Sequence, residues 1–130
     1  GFNSIPSASA AAANFALGAP NLTTAGAGTA SASRFGTSAA GSPAAVTVID
    51  SKLYIADGAN RILVWNSLPT ANDAPANAVL GQASFTANKI NADGLVTESS
   101  FNAPQGLAGD ADWMYVADTG NVRVLMIPTH

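Results

Sequence analysis

From residue 44 onward the chain is a succession of short apolar runs separated by turn residues. Tyr54-Ile-Ala56 and Ile62-Leu-Val-Trp65 are typical: β-branched and aromatic residues dominate, and Asp, Gly and Asn bound them. Runs of this length and composition predict strands rather than helices. The pattern places them at Ala44–Asp50, Lys52–Ala56, Arg61–Trp65 and Asn77–Gly81, then at Gln105–Gly109, Trp113–Ala117 and Val122–Ile127. An eighth, Asn14–Gly18, precedes the others. Asp57-Gly-Ala-Asn60 and Asp118-Thr-Gly-Asn121 lie between consecutive runs. Their side chains bond nearby backbone and they tolerate positive φ, so each predicts a hairpin. The runs are nearly continuous rather than strictly alternating, which implies burial on both faces, as in sheets stacked face to face. Helix signals are weak. Ala8–Ala13 is too short and uncapped to stand alone as a helix and is expected as a loop, while Thr24–Gly41 reads as a long Ala/Gly/Ser/Thr-rich connection.

The runs repeat. Leu53-Tyr-Ile-Ala-Asp-Gly-Ala-Asn-Arg-Ile-Leu-Val-Trp65 returns as Met114-Tyr-Val-Ala-Asp-Thr-Gly-Asn-Val-Arg-Val-Leu-Met-Ile127. Earlier marks recur in the same order. Phe2-Asn-Ser-Ile-Pro6 matches Trp65-Asn-Ser-Leu-Pro69, and Asn14-Phe-Ala-Leu-Gly18 matches Asn77-Ala-Val-Leu-Gly81. A period of about sixty residues describes two copies of one supersecondary unit, neither of which buries its apolar faces alone. Residues 1–130 are therefore expected as a single two-unit domain, with one repeat over about 2–64 and the other over about 65–127. Unit one has four strands. Unit two has three, and Asn14–Gly18 is the surplus counterpart of its missing fourth.

Composition narrows the function. Hydrophobic residues make up 48% of the 130 residues and charged residues only 10%, well below the usual quarter. A net charge of −3 offers no basic patch for phosphates and argues against a nucleic-acid partner. So little charge leaves weak repulsion between copies. No run reaches the length of a membrane-spanning helix. With no cysteine there is no disulfide framework and no thiolate chemistry. The Ser/Thr/Asn/Ala-rich texture suggests a bacterial extracellular or cell-surface location, with any signal segment already removed.

The marks in Tyr115-Val-Ala-Asp-Thr-Gly-Asn-Val-Arg-Val-Leu125 resemble those of the NHL-repeat β-propellers, whose strand ends in Val-Ala-Asp and is followed by a Gly-Asn turn and an Arg-Val-led strand. Phe101-Asn-Ala-Pro-Gln-Gly-Leu107 resembles the segment that opens the preceding strand. Val79-Leu-Gly-Gln82 and Trp65-Asn-Ser-Leu-Pro69 look like the long-repeat bacterial branch. The resemblance implies an all-β fold of two four-stranded antiparallel blades, part of a propeller, usually six-bladed, completed by other subunits. Unit one departs from the pattern, with one residue fewer between Asp57 and Arg61 and no Gly after Pro43-Ala-Ala45.

Candidate chemistry is sparse. Asp57 and Asp118 are placed to cap their own turns, together with Asn60, Gly120 and Asn121; Arg61 and Arg123 follow as partners for the Asp or for neighbouring carbonyls. Asp93, Asp110 and Asp112 form only an incomplete calcium pattern, and Asp110-Ala-Asp112 reads more simply as a tight turn. His130 is the single histidine, so no base is available to activate a serine. A catalytic role, a cofactor and a metal site are not expected. Trp113 and Phe85 are the candidate ligand-facing aromatics, and Asn21-Leu-Thr23 is a lone glycosylation sequon. The expected function is a non-catalytic module that associates head to tail with itself, as a ring or a fibre, or with other surface proteins. Residues Asn14, Phe15, Ala16, Leu17 and Gly18 of one chain would add to Val122, Val124, Leu125, Met126 and Ile127 of the next. The alternatives are a glycan- or peptide-binding module, a propeller lyase or hydrolase, and a piece of a longer propeller.

Overall fold

A computed structural model describes residues 12–36 and 42–130. The Phe2–Pro6 mark, most of the Ala8–Ala13 loop and part of the Thr24–Gly41 connection lie outside the described residues. The chain is all-β, with two antiparallel sheets. The first sheet runs β1 (Ala45–Ile49), β2 (Lys52–Asp57), β3 (Arg61–Trp65) and β4 (Ala78–Leu80); the second runs β5 (Pro104–Gly109), β6 (Trp113–Asp118) and β7 (Arg123–Pro128). All seven strands fall where the apolar runs predict them, within two residues at each end. Among the described residues, the remaining regular structure is two 3₁₀ turns, Ile90–Asp93 and Thr119–Asn121.

The eighth expected run lies outside both sheets of this chain. Asn14–Gly18 forms no strand in this chain. Instead the Ala16 N–H donates to Asn72 Oδ1 at 2.8 Å, and its carbonyl accepts from the Asp73 N–H at 3.0 Å. Both sheets are already accounted for by neighbours in sequence, so this segment finds a connecting loop as its partner rather than a strand edge.

Registers show that the repeat is structural. Asp57 pairs with Arg61 and Tyr54 with Val64 in the first sheet; Asp118 pairs with Arg123 and Tyr115 with Met126 in the second. Ile62 and Val64 thus correspond to Val124 and Met126. Each sheet has a front face, carrying Leu53, Ile55, Leu63 and Trp65 or their equivalents Met114, Val116, Leu125 and Ile127. The back face carries Tyr54, Ala56, Ile62 and Val64, or Tyr115, Ala117, Val124 and Met126.

The main core forms where the back face of the first sheet meets the front face of the second. Ile49, Tyr54, Ala56, Ile62 and Val64 pack there with Phe101, Met114 and Val116, and Leu80, Leu107, Leu125 and Ile127 close the edges. Gly109 permits the close approach, since a Cβ there would lie 2.2 Å from Ile49 Cδ1. A second cluster covers the first sheet's front face, where Leu53, Ile55, Leu63, Trp65 and Ala76 receive Leu17, Phe35, Val79 and Phe85. Burial on both faces explains why β2 and β3 read as continuous apolar runs.

The two hairpins differ by one residue, and the difference is accommodated by Val122. It adopts a left-handed conformation at φ 55° and is 92% exposed, which is unfavourable for a β-branched residue. Val122 was expected to begin the strand, but it precedes β7 as the left-handed end of the 3₁₀ turn. Gly120, expected to supply positive φ, serves contact instead, because a Cβ would sit 2.4 Å from Asn102 Cγ.

Candidate assembly faces and the clasps that hold them

Asp57 and Arg61 form a fully buried pair at the end of the first hairpin. Asp57 accepts from the Ala59 N–H at 2.9 Å and from the Gly36 N–H at 3.1 Å. Arg61 Nε donates to both carboxylate oxygens, at 3.1 and 3.0 Å, and Nη2 adds a 2.9 Å bond to Oδ2. Nη2 also reaches the carbonyls of Ser31 and Arg34, and Nη1 reaches that of Phe85. A buried charge persists when its hydrogen-bonding capacity is filled. The clasp fills it while tying the 31–36 segment and the 82–89 connection to the sheet.

The second hairpin repeats the arrangement with one partner residue fewer for its arginine among the described residues. Arg123 Nε donates to Asp118 Oδ2 at 2.8 Å, and Nη2 donates to the Thr97 and Ser100 carbonyls at 2.6 and 2.9 Å. Asp118 accepts from the Asn102 N–H at 2.7 Å and from Asn121 Nδ2 at 2.8 Å. Among the described residues, Arg123 Nη1 has no acceptor matching Phe85, and its side chain is 25% exposed against 0% for Arg61. Asn60 stitches the units together: Nδ2 donates to the Asn88 carbonyl and Oδ1 accepts from the Ala103 N–H. Its equivalent Asn121 turns to Asn91 instead.

The outward surfaces are apolar at both ends of the stack. The back face of the second sheet exposes Val124 by 65% and Met126 by 56%, whereas their equivalents Ile62 and Val64 are 0% and 6% exposed inside the molecule. At the opposite end, Val46 and Val48 of β1 are exposed beside an apolar cleft of about 700 Å³ lined by residues including Phe35, Leu53, Ile55 and Leu68. β7 is the edge of its sheet, and no strand pairs with its outer side among the described residues. An edge of this kind offers free N–H and carbonyl groups to another strand.

The two candidate ligand-facing aromatics belong to different places. Trp113 begins β6 on the exposed back face of the second sheet, while Phe85 packs into the cluster on the front face of the first. Asp110 makes a tight turn, accepting from the N–H groups of Asp112 and Trp113 and from the Tyr115 hydroxyl. Those two backbone bonds, supported by the phenol, hold its carboxyl below the ordinary value; the same bond to Asp110 raises the Tyr115 phenol. Among the described residues, no three His, Asp or Glu side chains converge as a metal site would require. Sequence reasoning missed the unequal filling of the two clasps. The missing residue between Asp57 and Arg61 is the signal that sets the hairpins apart. The chain matches no family model and no curated protein.

Proposed function

We propose that this chain is a non-catalytic structural module that assembles with copies of itself, the back face of one copy's second sheet stacking against the β1 end of the next copy's first sheet, where Val46 and Val48 are exposed beside the apolar cleft. What supports the reading is one comparison. Ile62 and Val64 are buried against a neighbouring sheet, and their equivalents Val124 and Met126 lie open on a face of the same design. The internal sheet-to-sheet contact is thus a template for an external one. Such a contact is heterologous, so repetition closes a ring or extends a fibre. A ring of propeller-type blades is the closed form suggested by the sequence resemblance.

The test is the mass of the full chain in solution by sedimentation velocity across a concentration series. A concentration-dependent oligomer is expected, reduced to monomer by Val124→Asp with Met126→Asp while the circular dichroism spectrum stays unchanged. A monodisperse monomer at the highest concentration overturns the proposal. Glycan or peptide binding lost on Trp113→Ala, with no self-association, would favour the ligand-binding alternative.

A further inference from the structure

We infer that Asn21 is an acceptor site for N-linked glycosylation of the folded chain, taking a sugar activated as its diphosphate ester onto the side-chain nitrogen. Asn21-Leu-Thr23 is the chain's sole Asn-x-Ser/Thr sequence. Such a tripeptide is an acceptor only where a transferase can reach it, on a surface loop. Pro20 through Thr29 are exposed without interruption and belong to neither sheet. Asn21 therefore stands on an open loop whose flanks are anchored, since Ala19 and Ala30 are buried.

The side chain is bonded at one end only. Asn21 Oδ1 accepts from the Thr23 N–H at 2.9 Å and from the Thr23 hydroxyl at 3.1 Å. Asn21 Nδ2, which carries two donors, has no hydrogen-bond partner among the described residues. Capping the turn explains the oxygen and leaves the nitrogen without a structural task. The repeat supplies a comparison. Ser84-Phe-Thr86 occupies the place of Asn21-Leu-Thr23, and there Ser84 Oγ and Thr86 Oγ1 are linked at 3.3 Å. A hydroxyl thus suffices at this turn, and the amide of unit one goes beyond what the fold needs. The middle residues differ as well. Phe85 packs into the front-face cluster and its carbonyl accepts from Arg61 Nη1, whereas Leu22 is exposed. The second tripeptide is held against its sheet, and the first is presented to solvent.

Transfer forms a bond from Asn21 Nδ2 to the anomeric carbon of the sugar. The bond from that carbon to the diphosphate oxygen breaks, and the diphosphate leaves with the electron pair. An Nδ2 proton passes to a base of the transferase. As that proton leaves, negative charge moves onto Oδ1, where the Thr23 hydroxyl and N–H already donate. Donors to the charged form favour it. Thr23 thereby positions the acceptor as well as the turn.

The test incubates the folded full chain in two arms. One supplies a soluble N-glycosyltransferase with UDP-glucose, the other a membrane oligosaccharyltransferase with a lipid-linked oligosaccharide, and peptide mass mapping reads the products. Sugar is expected on Asn21 in at least one arm, and the productive arm identifies the donor as nucleotide-linked or lipid-linked. Asn21→Gln and Thr23→Ala should each abolish the modification, while Thr23→Ser retains it. These side chains are exposed, so the circular dichroism spectrum should stay unchanged in all three variants. Ser84→Asn places a second tripeptide of the same pattern in the packed setting, and position 84 should stay bare while Asn21 reacts. No sugar in either arm, or sugar that persists in Thr23→Ala, would overturn the assignment. Equal modification at positions 21 and 84 would overturn the claim that presentation by the fold makes the site.

Discussion

Removing Arg61 tests the physical account of the hairpin clasps, because the repeat supplies its own control. Arg61→Ala deletes a guanidinium that is fully buried and bonded to Asp57 and to the carbonyls of Ser31, Arg34 and Phe85. It leaves the Asp57 carboxylate buried, with the N–H groups of Gly36 and Ala59 as its remaining donors among the described residues. Breaking a buried pair from one side typically costs about 3–5 kcal/mol, against a total stability of roughly 5–15 kcal/mol for a domain. Arg123→Ala removes the equivalent guanidinium, itself partly exposed and with fewer bonds, and leaves the Asn102 N–H and Asn121 Nδ2 as donors to the buried Asp118. Charge-assisted bonds there are worth about 1.5–3 kcal/mol, and exposure pulls the loss toward the lower value. Urea unfolding followed by tryptophan fluorescence, with free energies from linear extrapolation, measures both. The Arg61 variant should be less stable than the Arg123 variant by about 2 kcal/mol. Equal losses, or a larger loss at Arg123, would refute the claim that burial sets the strength of the clasp. The Asp57→Ala/Arg61→Ala double variant should lose less than the sum of the single losses, since removing both partners leaves no uncompensated charge.

Other positions give sharper local tests. Val122→Gly should stabilise the monomer by about 1 kcal/mol, because relief of the left-handed strain exceeds the added freedom of the unfolded chain; thermal unfolding checks it. Gly81→Ala should destabilise by about 2 kcal/mol or more in the same assay, since φ is +87° and the new methyl would overlap the Phe101 ring. The Asp110–Tyr115 pair predicts opposite slopes at the two ends of the pH scale. Asp110 titrates below its ordinary 3.8 in the folded chain, so its contribution is complete above that value and is lost as the pH falls through the lower folded one. Tyr115 titrates above its ordinary 10.0, so its contribution is complete below 10.0 and is lost as the pH rises through the raised value. Asp110→Asn should flatten the acid-side slope and reduce the alkaline one, as read from unfolding midpoints across pH.

Much of this architecture is written in local chemistry. Short β-branched runs bounded by Asp, Gly and Asn can form little but strands and hairpins, and their duplication fixed the matched registers of the two sheets. Asp57 and Asp118 read as turn-capping residues because an Asp at a strand end, with an Arg four or five residues on, can satisfy its oxygens locally. Other features depended on distant contacts. Asn14–Gly18 has the residues of β4, but its partner edge is absent from its surroundings, so it bonds to the 72–73 loop and forms no strand. Phe85 and Trp113, similar as exposed-looking aromatics in the sequence, were separated by packing into a cluster and an open face. Gly120 was needed for proximity to Asn102 rather than for its dihedral, a distinction no local pattern contains. The sequence by itself determined the units, their strands and their turns, because those follow from nearest-neighbour backbone preferences. Only the tertiary structure decided which faces are covered and which Arg is satisfied, because burial is settled by residues dozens of positions away.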